Sequence, residues 1–119
     1  MRSSPNRVVG LVVGAGFIVL GAVGFFVNPL LTMSVNPLQN LLHLLVGAAL
    51  VTCALVGGSS WCNAIVGTLL LAVGIAGLFI ISSDINVLAV NGAANLLHFA
   101  SAACLLAVGL GARSDKRHG

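Results

Sequence analysis

Two histidines lie deep in apolar sequence, each preceded by asparagines at the same distances. His43 closes the stretch "NPLQNLLH" (36–43), and His98 closes "NGAANLLH" (91–98). In a helix, spacings of four and three residues keep Asn36, Asn40 and His43 on one narrow face, and Asn91, Asn95 and His98 on the matching face of a second helix. Each row runs on to a small residue, Gly47 or Ala102, where a neighbour can pack closely. In hydrocarbon the uncharged imidazole, with one donor and one acceptor, is the cheaper form, and an amide one turn away can meet either nitrogen.

Three kinds of chemistry fit such rows. In the first, the stripes face each other and hydrogen-bond two halves of the protein together, since intramembrane polar residues pair internally by default. In the second, His43 and His98 are ligands of a haem or a metal ion, with the asparagines orienting the rings from behind. In the third, the stripes meet a lipid headgroup, a small solute or a partner helix. No serine, histidine and acid arrangement accompanies them, so no enzymatic constellation is expected and no cofactor is required.

The elements that position these residues follow from composition. Of 119 residues, 59% are hydrophobic and 6% charged, and the mean hydropathy is +1.15. A soluble chain this short cannot hide so much apolar surface, so the bilayer is the expected solvent. Hydrocarbon offers backbone groups no partners, which restricts the fold to helices or a closed barrel, and runs such as "LLHLLVGAALVTCALVG" do not alternate as barrel strands do.

Four apolar stretches, 8–27, 38–57, 63–82 and 93–111, each have the length that crosses the hydrocarbon layer as a helix. The short gaps carry turn chemistry: "NPLLTMSVNP", "GGSSW" and "SSDINVLAVN". Residues 1–119 are therefore expected to form one all-α domain, a polytopic four-helix transmembrane bundle. "MRSSPNR" before the first stretch resembles a signal peptide, but the apolar run is long and no Ala-x-Ala site follows, so a retained helix is expected.

The net charge of +3 does not point to nucleic acid, because the basic residues sit at the two ends. Arg2 and Arg7 precede the first stretch, and Arg113, Lys116 and Arg117 follow the last. By the positive-inside rule both termini are cytoplasmic, the loops at 28–37 and 83–92 face outward, and 58–62 faces inward. Asn36 before Pro37 is a strong helix cap, and Asn91 before Gly92 a weaker one, so each histidine lies about 10 Å below the outer surface.

The chain also repeats itself. Gly14, Gly21 and Gly24 correspond to Gly67, Gly74 and Gly77 at an offset of 53. Asn36, Asn40 and His43 correspond to Asn91, Asn95 and His98 at an offset of 55. The chain thus reads as two tandem helical hairpins, 8–57 and 63–111, related by a pseudo-two-fold axis along the membrane normal. The glycines let backbones approach closely, the usual route to helix association in lipid. Their faces suit either packing within the bundle or a homo-oligomer, and a larger membrane complex is a further expected setting.

The remaining polar residues add little. Cys53, Cys62 and Cys104 form no C-x-x-C pair, and Asp84 is the one acidic residue before the tail. No carboxylate, lysine or arginine lies within a span, which argues against a proton-coupled exporter. Trp61 suits an interfacial anchor at the inner boundary.

The openings "MSVNPLQNLLHLLVGAAL" and "NGAANLLHFASAACLLAVGL", with glycine-rich first and third stretches, resemble a family of bacterial four-helix membrane proteins known as domain of unknown function 4383. The likeness covers nearly the whole chain. It implies a bacterial plasma-membrane protein of this topology and marks the two Asn/His sets as signature positions, without assigning them an activity.

Overall fold

The computed structural model describes residues 4–27, 36–81 and 91–111, and these form four α-helices. They are α1 (Pro5–Gly24), α2 (Pro37–Val56), α3 (Ser59–Ile80) and α4 (Gly92–Gly111). Among the described residues there is no strand. Each helix is long and apolar enough to cross a membrane.

Local chemistry sets the ends. Ser4 caps α1 by accepting from the Arg7 N–H at 3.1 Å, with Pro5 in the first turn where no N–H is needed. Asn36 caps α2 in the same way, accepting from the Gln39 N–H at 2.8 Å, and Pro37 follows it. Asn91 accepts from the Ala94 N–H at 2.9 Å at the start of α4. The helices depart most from the expected bounds in α1 and at the start of α3. α1 begins and ends three residues earlier than 8–27, because Ser4–Pro5 is as good a start signal as Asn36–Pro37. α3 begins at Ser59, because the preceding turn needs only Gly57 and Gly58. Their φ angles of 111° and 86° are open to glycine and strained for other residues. Trp61 therefore sits in the first turn of α3, exposed, and not in a loop.

α1 packs intimately on α2, and α3 on α4, whereas contact between the two hairpins is much sparser. Glycines make the close approach. A Cβ on Gly14 would lie 2.9 Å from the Leu50 Cβ, and one on Gly21 2.6 Å from the Asn40 carbonyl oxygen. Gly67 faces Leu106, and Gly74 the ring of Phe99. Gly24 lies directly against the Asn40 side chain, and Gly77 against that of Asn95. All six glycines are spent inside their own hairpins.

Where the hairpins meet, Phe17, Leu50, Val66, Leu70, Ala102 and Leu105 form the core. Only 28–39% of each helical span is buried, so most of the apolar surface faces outward. Phe26, Phe79, Leu78 and Leu96 are among the outward residues. Such a surface suits lipid, in which packing and polar bonds, and not water exclusion, hold helices together. Arg7 is the one Lys, Arg, Asp or Glu among the described residues; Arg2, Asp84, Arg113, Asp115, Lys116 and Arg117 lie outside them.

Candidate functional site

His43 on α2 and His98 on α4 meet between the hairpins. Their ring centroids are 6.2 Å apart with the planes at 67°, an edge-to-face arrangement. They are 4% and 3% exposed. Equal depth below Asn36 and Asn91 makes this meeting possible: both rings sit seven residues, or about 10 Å, from their helix caps.

Asn40 and Asn95 pack within their own hairpins, on Gly24 and Gly77. Asn95 turns into its own hairpin, where its Nδ2 donates to the Gly74 carbonyl at 2.9 Å. Its Oδ1 lies 3.4 Å from His98 Nδ1, at the long end of hydrogen-bonding distance. A carbonyl only accepts, so the amide nitrogen must face Gly74 and the amide oxygen must face His98. An amide oxygen also only accepts, so this contact favours the tautomer of His98 with the hydrogen on Nδ1 and a lone pair on Nε2.

The first half is built differently. Asn40 packs on Gly24 just as Asn95 packs on Gly77. Yet the Asn40 Oδ1 and both ring nitrogens of His43 are buried without a hydrogen-bond partner. Buried polar atoms in this state are rare and costly, and each calls for a reason. His43 has an aromatic neighbour instead: Phe17 of α1, 2% exposed, with ring centroids 5.2 Å apart.

The unpartnered imidazole borders a cavity of about 160 Å³ between α2 and α3. Gln39, His43 and His98 are its polar lining, and Leu42, Val46, Val66, Leu69, Leu70 and Val73 supply the rest. Gln39 lies one turn from His43 on the buried face of α2, a position the Asn/His pattern had hidden. Leu42 and Leu69 are also exposed on the outer surface, so the cavity opens sideways between the two helices.

A direct polar bond between the hairpins lies at the opposite end, where sequence reasoning did not look. Asn63 of α3 donates from Nδ2 to the Asn6 carbonyl at 2.9 Å and to the Asn6 Oδ1 at 3.1 Å. Both residues are fully buried, beside buried Ser59 and Ser60. Gly10 makes room: a Cβ there would stand 3.1 Å from the Asn63 Oδ1. The available signal was Asn6 and Asn63 near the starts of the first and third apolar stretches. Among the described residues no three His, Cys, Asp or Glu side chains cluster as metal ligands, and all three cysteines are free.

The family model described as Domain of unknown function (DUF4383) matches residues 7–111, most of the chain. No curated protein and no solved structure matches it.

Proposed function

We propose that this chain, which belongs to the DUF4383 family, is a membrane-embedded binding protein whose inter-hairpin cavity takes a small lipid-soluble molecule against His43 and His98. One observation carries the reading: His43 is almost wholly buried, has no partner for either nitrogen, and borders a cavity shared with His98. Ligand sites are mostly apolar with a few polar groups converging on them, and this one has that composition. The two hairpins are copies of one unit, a reading supported by the matched Gly24–Asn40 and Gly77–Asn95 contacts. The setting is the bacterial plasma membrane with both termini cytoplasmic, as the basic residues at the two ends suggest.

The test is a titration of the purified chain in lipid nanodiscs with toluene, followed by the His43 ring resonances. Saturable shifts that vanish in Val46→Phe and Val73→Phe, which put bulk into the lining, are the expected result. An unsaturable response in the wild type removes the reading.

A second reading, a metal ion held between the imidazoles, is favoured by their separation of 6.2 Å. An ion bound there would have only two protein donors of the usual kind, fewer than a structural zinc site uses. A haem is a poorer match, because a tetrapyrrole is several times larger than the cavity. Metal analysis and an absorption spectrum of the wild type beside His43→Ala and His98→Ala decide this reading: metal or a Soret band lost in both variants supports it.

A further inference from the structure

The two hairpins create two equivalent grooves, and only one of them leads to the histidines. The groove between α1 and α4 is lined by Val13, Gly16, Phe17, Leu20, Leu97 and Ser101. Moved by the repeat offsets, these become Val66, Leu69, Leu70, Val73, Leu42 and Val46, all of them lining residues of the α2/α3 cavity. The decisive difference is Phe17 in place of Leu70. The phenyl ring packs at a tilt of 55° against His43 on the α1 side and closes that approach, and the smaller Leu70 leaves the other side open.

The open side has defined hydrogen-bonding demands. Through Asn95 and the Gly74 carbonyl, His98 is set to carry its hydrogen on Nδ1, so it offers the cavity a lone pair at Nε2. His43 has no such relay: both its nitrogens are buried against the wall without a partner, so nothing holds the ring against a turn that brings an N–H to the cavity. A single hydroxyl oxygen meets both: it donates to His98 and accepts from His43. A carbonyl or an ether cannot, having nothing to donate. The rest of the space is apolar, and a dry cavity of about 150 Å³ is known to hold one benzene ring.

Building on the binding reading above, we infer that the cavity takes the hydroxyl-bearing ring of a lipid-soluble phenol or hydroquinone, admitted from the bilayer between α2 and α3, with its oxygen bridging His43 and His98. Phe17 restricts the chain to one such ligand, and the Asn95 relay selects the hydroxylated ring over an oxidised or capped one.

The experiment compares phenol, anisole and toluene on the full chain in nanodiscs, with affinities referred to their concentrations in the bilayer. Phenol is expected to bind about tenfold more tightly than anisole or toluene, the effect of one to two net hydrogen bonds. His43→Phe, which keeps the ring and removes the nitrogens, should erase that preference yet still bind toluene. Leu70→Phe should abolish binding, and Phe17→Leu should raise the stoichiometry from one phenol to two. Retained helicity and the Asn6–Asn63 amide resonances establish that each variant is folded. Equal affinity for all three compounds overturns the hydroxyl bridge and leaves the cavity reading standing. Failure of all three to bind overturns both. One phenol per chain in a folded Phe17→Leu variant overturns the role given to Phe17.

Discussion

Asn95 Oδ1 stands 3.4 Å from His98 Nδ1, and the same amide donates to the Gly74 carbonyl. Asn40 and His43, the corresponding pair, make no such contact. Two rows with the same residue spacing thus prepare their histidines differently: one ring has its tautomer set by its own hairpin, and the other is left to whatever enters the cavity.

That difference can be read directly. In the ligand-free protein, ring ¹⁵N shifts should report His98 with its hydrogen on Nδ1 and His43 as a mixture of tautomers. Asn95→Ala should convert His98 to a mixture as well. Finding His98 with its hydrogen on Nε2 in the wild type would contradict the relay.

The glycines within the hairpins should tolerate substitution very unevenly. Gly21→Ala drives a methyl group into the Asn40 backbone, and Gly77→Ala into the Asn95 side chain. Each is expected to cost about 1–3 kcal/mol, as overpacking of a tight contact does. Gly16→Ala meets nothing within 4 Å and should be neutral or slightly stabilising. Reversible unfolding in mixed micelles measures all three, and equal losses would mean that the close approach is not what these positions provide.

Asn63→Ala removes the bond between the hairpins at the α2–α3 turn end. Interhelical polar bonds in membranes average about 0.6 kcal/mol and reach about 1.7, so a loss within that range is expected. A double-mutant cycle with Asn6→Ala isolates the side-chain part of the interaction. A coupling energy indistinguishable from zero would assign the inter-hairpin contact to packing alone.

Reporter fusions at the two ends of the chain should both report the cytoplasm, and cysteines introduced at positions 28–35 should react with an impermeant maleimide from outside. Labelling only after the membrane is opened would reverse the orientation drawn from the basic residues.

The helices and their caps were legible because the signals are local: apolar length, a capping side chain and a following proline. The meeting of His43 and His98 was legible for a similar reason, since equal distances from two caps give equal depths. What the sequence did not disclose depends on how the hairpins rotate against each other. Gln39 is polar and lies one turn from His43, but only the placement of α3 makes it part of a cavity lining. The expectation that the asparagine stripes bond the halves put the polar link at the wrong end of the bundle. Gly24 and Gly77 take the Asn40 and Asn95 side chains inward, and Asn6 with Asn63 does the linking. The exchange of Phe17 for Leu70 was visible as a mismatch in the repeat, but its meaning required the two grooves.

The two-residue turn at Gly57–Gly58 bears on how so thin a boundary between hairpins can persist. With α2 and α3 joined by only these residues, each hairpin meets its partner at the local concentration of a short tether, of millimolar order, however dilute the protein is in the membrane. The covalent link therefore supplies much of the association that a large interface would otherwise have to provide. The contact between the hairpins can stay small without the halves being lost to one another. Cutting the chain at this turn would turn their association into a search in two dimensions.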